Sequence, residues 1–100
     1  MADEVYTLGA WRVKDGKQDE FVAAWQALGT YFSALPHPPG EGTLLQSVDE
    51  PLQFYSFGPW QSLDDIAEMR SQAETRAEIG KLMDLCDEGR PGTYRVVATT

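Results

Sequence analysis

The segment "LPHPPGEG", residues 35–42, constrains this chain more than any other stretch. Its three prolines and two glycines can neither continue a helix nor join a sheet interior, because proline lacks the amide donor and clashes with the preceding turn. Whatever precedes the segment must end there, and whatever follows must start afresh. In front of it lies a helical period. Phe21, Trp25, Leu28 and Phe32, with Ala24 alongside, recur at spacings of three and four and predict one apolar stripe on a helix of about 16 residues from Lys17 onward. Asp19 and Glu20 fall in its first turns, where the backbone dipole favours negative charge. Before the helix, "VYTLGAWRV" (5–13) reads as a strand, closed by the turn "KDG" (14–16).

Behind the segment, "TLLQSVD" (43–49) and "QFYSFGPW" (53–60) read as two strands, and the short "DEP" between them predicts a hairpin. Ser62 with Asp65 three residues on is a capping-box signature, and Ser71 with Glu74 repeats it. The second helical region is therefore expected to break near Arg70, into pieces over 62–70 and 72–87. Ile79, Leu82, Met83 and Cys86 form the apolar stripe of the longer piece, which Gly89, Pro91 and Gly92 are expected to terminate. "TYRVVAT" (93–99) is the expected last strand. No internal repeat, low-complexity tract or linker interrupts this order. The expectation is one α+β domain over residues 1–100, ferredoxin-like in its βαββαβ order, with helices on one face of an antiparallel sheet.

A sheet with one wet face carries polar side chains at alternate positions. These strands do not. Phe54, Ser56 and Gly58 point one way and Tyr55, Phe57 and Pro59 the other; Tyr6, Leu8 and Ala10 stand opposite Val5, Thr7, Gly9 and Trp11. Tyr94, Val96 and Ala98 likewise oppose Arg95 and Val97. Apolar bulk on both faces predicts that the face away from the helices packs on a second copy of the same sheet, as a two-fold homodimer.

The chain is acidic, with a formal net charge of -8 and a pI of about 4.4. Its eight basic residues are scattered, which argues against nucleic acid and anionic membrane surfaces as partners. Cys86 is the only cysteine, so no intrachain disulfide or multi-cysteine metal site can form, and its apolar helical setting predicts an inert thiol. "MADEVYTLGAW" lacks the basic and apolar regions of a signal peptide, and no apolar run approaches the ~20 residues needed to cross a bilayer. A cytoplasmic location is the default expectation.

Two stretches, "WRVKDGKQDEFVAAWQAL" (11–28) and "FYSFGPWQSLDDIAEMR" (54–70), carry a resemblance. With them the chain resembles, over nearly its whole length, the antibiotic biosynthesis monooxygenase-like domain of the dimeric α+β barrel superfamily. The resemblance implies a homodimer whose sheets meet in a barrel, with a pocket in each subunit between sheet and helices. Members include oxygenases that act on aromatic polyketide-type substrates without metal or flavin, haem-degrading enzymes and quinol-oxidising proteins. In the haem degraders a first-strand asparagine, a tryptophan ending the third strand and a histidine on the second helical segment make the site. Trp60 matches that tryptophan. Thr7 and Leu8 occupy the asparagine's region, and Arg70, Ala73 and Arg76 stand where the histidine would be, so haem ligation by that route is not expected.

In the oxygenase reading, Trp60 and Tyr55 position a small aromatic or polycyclic substrate. His37, the one histidine and the one side chain that titrates near neutrality when unperturbed, is the candidate base, and Arg70 a candidate anion clamp. Trp25 and Phe21 read as core or pocket wall, and Tyr94 as an interface residue or phenolic donor. No cofactor is expected. Asp64, Asp65 and Glu68 read as an acidic helix start without a histidine companion, hence without metal, and phosphate-binding glycine motifs are absent. The rival reading is a non-catalytic dimeric ligand-binding or stress-related module.

Overall fold

The structure, a computed structural model, describes residues 4–100; Met1–Asp3, the first residues of the stretch weighed above for a signal peptide, lie outside them. The elements run β1 (Val5–Val13), α1 (Gln18–Ser33), β2 (Thr43–Gln46), β3 (Gln53–Trp60), α2 (Leu63–Ser71), α3 (Ala73–Asp84) and β4 (Cys86–Arg95). The strands form one antiparallel sheet in the order β2-β3-β1-β4. This is the ferredoxin-like α+β arrangement. No helix among the described residues is long and apolar enough to cross a membrane.

Register decides which side chains meet. Val5, Thr7, Gly9 and Trp11 of β1 stand opposite Trp60, Gly58, Ser56 and Phe54 of β3, and this is the helix-facing side. Trp11, Val13, Phe21, Leu28, Phe54, Leu82 and Cys86 bury into one apolar cluster, while Val5, Trp60, Ile66 and Met69 form another. Each large side chain withdrawn from water in them contributes about 1.5–3 kcal/mol. The opposite face carries Tyr6, Leu8 and Ala10 of β1 beside Pro59, Phe57 and Tyr55 of β3, with Leu45 of β2 next to Tyr55 and Tyr94 of β4 next to Tyr6.

The helical region breaks at Gln72, whose backbone turns extended (φ -75°, ψ 132°). At its start, Ser62 Oγ accepts from Asp65 N at 3.1 Å, the forward half of the expected box. The second box does not form: Ser71 Oγ donates back to Glu68 O, and Arg76 Nη1 donates to the Ser71 carbonyl at 3.0 Å. Arginine thus covers the orphan carbonyls where α2 ends.

The largest departure from expectation is the last strand. It begins at Cys86 and ends at Arg95, taking in Gly89, Pro91 and Gly92, while Val96 and Val97 lie beyond it and Val97 is fully exposed. The physical reason is pairing with β1. Lys14 N donates to Leu85 O at 2.9 Å and Val13 pairs with Cys86, so the β1 ladder captures the chain as α3 closes. β4 is an edge strand, where a proline without an N–H is tolerated. Cys86 is accordingly a buried strand residue rather than part of a helical stripe. The second strand is also shorter than expected, because Ser47 Oγ accepts from the amides of Asp49 and Glu50 and turns the chain.

Candidate functional site

Between the two core clusters the inner face of the sheet carries only small side chains: Thr7 and Gly9 on β1, Ser56 and Gly58 on β3. Helices packed over such a stretch cannot close onto it. The result is a cavity of about 1000 Å³ between sheet and helices, with Trp11, Trp25 and Trp60 in its wall, the three tryptophans of the chain. Leu28, Phe32, Met69, Ile79 and Met83 add to its apolar lining.

The two strand tryptophans are held reciprocally. Trp11 on β1 donates its indole N–H to Ser56 Oγ on β3 at 3.0 Å. Trp60 on β3 donates to Thr7 Oγ1 on β1 at the same distance. Each indole is thereby fixed in rotation, and each hydroxyl oxygen is occupied as an acceptor while its own proton has no acceptor among the described residues. Gly9 and Gly89 make room for the Trp11 ring: a Cβ at Gly9 would fall 2.6 Å from the indole, and one at Gly89 would fall 2.9 Å from it. Phe32 meets Trp60 edge-on at 5.2 Å between ring centroids.

The proline-glycine segment forms part of the rim. Gly40 N donates to Pro59 O at 2.9 Å, and Gln61 Nε2 to Pro38 O at 3.2 Å. A Cβ on Gly58 would lie 3.2 Å from Gly42 Cα, so the rim rests on the β3 backbone through two glycines. Pro39, Gly40, Glu41 and Gly42 face the cavity from the segment, and exposed Gln26, Thr30 and Ser33 of α1 face it as well.

The structure brings Trp25, Trp60 and Arg70 together on this wall and places the other expected site residues elsewhere. Phe21 is fully buried beside Trp11 and Phe54, at ring centroid distances of 5.8 and 5.3 Å. Tyr55 and Tyr94 lie on the outer sheet face, about half exposed. His37 occupies a separate, smaller depression of about 180 Å³ with Leu35, Pro36, Asp65 and Glu68. Its Nδ1 lies 3.3 Å from Asp65 Oδ1, and ligand atoms of His37, Asp65 and Glu68 all fall within 4.8 Å of one another. The acidic helix start thus has a histidine companion after all, delivered by the loop from a distance in sequence. Because α2 begins at this point, the contact ties the segment to the helix rather than aiming the imidazole into the cavity.

Ser56 and Thr75 are cavity residues that sequence reasoning did not single out, and Thr7 and Arg76 are cavity residues that it named only as replacements for haem-site residues, without a role. The available signal was the pair of small-residue steps, Thr7/Gly9 and Ser56/Gly58, each followed or preceded by a tryptophan. Thr75 is fully buried and shares a 2.9 Å hydrogen bond with the Tyr31 hydroxyl, which joins α3 to α1 at the back of the cavity. Cys86 takes no part in this site. Burial, and then the neighbouring Asp87 charge, push its thiol up to about 11 against the partial pull of Lys14, so it stays protonated at neutral pH.

No protein-family model matches the chain, and no curated protein matches it by sequence. Solved structures do. A variant of SnoaB, a cofactor-independent oxygenase from Streptomyces nogalater, superposes with a TM-score of 0.87 at 21% identity, covering 98% of this chain and 97% of that one. A candidate antibiotic biosynthesis monooxygenase from Bordetella bronchiseptica gives 0.81 at 14% identity, over 97% of this chain and 100% of that one. Another from Nitrosomonas europaea gives 0.79 at 20% identity, over 100% and 97% respectively. At these identities the likeness is one of fold. The chain has the ferredoxin-like α+β fold of the antibiotic biosynthesis monooxygenase-like proteins.

Proposed function

We propose that the protein is a cofactor-independent monooxygenase acting on a small polycyclic aromatic substrate, in a homodimer joined through the outer sheet faces. The observation that carries the reading is the cavity: about 1000 Å³, walled by three tryptophans, with two hydroxyl donors held at its floor. A site of this size and lining suits fused aromatic rings. The fold shared with an oxygenase that needs no cofactor supports the same chemistry.

In this reading a substrate methylene flanked by carbonyl and phenolic rings loses a proton to solvent at the mouth. The Ser56 and Thr7 hydroxyls, each oriented by an indole, donate to the enolate oxygen that forms. Donors fixed in advance in a water-poor site stabilise such charge far better than water does. The carbanion passes one electron to dioxygen, the radical pair combines into a C–O bond, and protonation gives a hydroperoxide. Loss of water then leaves the carbonyl, so that CH₂ and O₂ become C=O and H₂O.

The test is oxygen uptake with an anthrone panel. Uptake is expected with wild type, falling at least ~10-fold in Ser56→Ala and in Trp60→Phe, with His37→Ala near wild type. Absence of uptake across the panel would sink the enzymatic reading. One observation favours a second reading, a binding module without turnover: among the described residues Glu41 at the rim is the single carboxylate facing the cavity, and no histidine faces it. Tight binding of an aromatic ligand with no oxygen uptake is its signature.

A further inference from the structure

The charges in the cavity invert those of the chain. The protein carries 16 acidic and 8 basic residues, yet among the described residues the charged ones facing the cavity are two arginines, Arg70 and Arg76, and one rim glutamate, Glu41. Arg12, Lys17, Lys81 and Arg90 each have a carboxylate partner. Among the described residues Lys14, Arg70, Arg76 and Arg95 have none, and of these Arg70 and Arg76 face the cavity. In a chain with a twofold excess of acid, two arginines without a carboxylate at one site need an explanation.

Their hydrogen bonds hold them without neutralising them. Arg70 Nη1 donates to Thr93 Oγ1 on β4. Arg76 Nη1 donates to the carbonyls of Ser71 at 3.0 Å and Arg70 at 3.5 Å. The Arg76 guanidinium is thereby held at the α2–α3 elbow and that of Arg70 against β4, each anchored through one nitrogen to neutral oxygens. A guanidinium has five N–H donors in a planar fork; the remaining ones have no protein acceptor among the described residues. Apart from Glu41 at the rim, the rest of the described lining is apolar, aromatic or uncharged polar.

We infer that Arg70 and Arg76 form a carboxylate subsite where the α2–α3 elbow faces β4, so that the ligand is a polycyclic aromatic acid. The inference rests on the cavity being an aromatic-ligand site, as proposed above. The planar forks match a carboxylate through paired charge-assisted hydrogen bonds, and the ring system extends from there past Thr7, the strand partner of Thr93, across the tryptophan wall toward Ser56. Arg70 and Arg76 then orient the acid group; they do not touch the reacting carbon.

Calorimetric titration with anthraquinone-2-carboxylate and its neutral carboxamide tests this, with tryptophan quenching to locate the ligand. The acid is expected to bind at least ~10-fold more tightly than the amide. Arg70→Gln and Arg76→Gln should abolish that preference with the amide affinity unchanged. Arg76→Lys, which retains a charged donor over the α2 carbonyls, should keep a preference and guards against a merely structural loss. Equal affinity for acid and amide would overturn the subsite while leaving the aromatic cavity standing. A preference that survives both glutamine variants would also overturn it. Binding of neither probe would overturn the aromatic reading of the cavity, and the subsite with it.

Discussion

At the scale of single residues, the site depends on what is small as much as on what is large. Trp11 lies over Gly9 and Gly89, and its indole is pinned by Ser56. Gly9→Ala should therefore displace the ring, costing about 1–3 kcal/mol, seen as a lower denaturation midpoint with unchanged slope and a shifted tryptophan emission. An unaltered midpoint would mean that the ring has room the structure denies it. Cys86 provides a pH test. Its folded pKa, about 11, lies above the ordinary value of 9.0, so above pH 9 the unfolded chain releases this proton first. The contribution is fully present below pH 9 and is lost as pH rises to about 11. Stability measured from pH 8 to 11.5 should fall less steeply in Cys86→Ala than in wild type. Parallel curves would assign the loss to the lysines and tyrosines. Trp60 was legible in advance as a pocket candidate through the resemblance, which puts a tryptophan at the end of the third strand; its strand-end place alone read equally as core packing. Ser56 and Thr7 were not, because a hydroxyl becomes a directed donor only when a distant indole occupies its lone pair, and that pairing is set by register between strands.

The elements show where local signals suffice. α1 was readable from its stripe, and the break between α2 and α3 from the repeated serine-acid spacing, even though arginine rather than serine covers the junction. β4 was misread because Gly89, Pro91 and Gly92 are stop signals in isolation. The β1 edge overrides them, since an edge strand needs ladder bonds on one side and Trp11 needs a neighbour without a Cβ at position 89. The proline-glycine segment was correctly a boundary, but its role as a cavity rim depends on Gly58. A Cβ there would press on backbone, 3.2 Å from Gly42 Cα and 3.4 Å from Glu41 O. Gly58→Val should push the segment off β3, lowering stability by about 1–3 kcal/mol and weakening aromatic ligands in titration. Wild-type affinity in a destabilised variant would detach the rim from binding.

For the whole molecule, the unresolved demand is the outer sheet face. Tyr6, Leu8, Ala10, Tyr55, Phe57 and Tyr94 lie side by side on it, away from both core clusters. Charged groups gather at one end, where Arg12 meets Glu50 at 3.6 Å and Arg90 meets Glu88. An apolar centre with a charged margin is the anatomy of an interface, and a two-fold axis lets one such face cover another without leaving a third exposed. The protein is therefore expected to sediment at twice its 11.1 kDa chain mass. Tyr55→Glu and Leu45→Glu, at positions 45% and 50% exposed in the single chain, should each raise the dimer dissociation constant at least ~30-fold. Their exposure means that neither change disturbs the core. A wild-type mass of one chain at micromolar concentration would refute the pairing. The sheet separates this face from the cavity, so a monomeric Tyr55→Glu protein should still bind the aromatic probe with near wild-type affinity. If binding disappears with the dimer, the inner face does not keep its shape alone, and the second sheet belongs to the site.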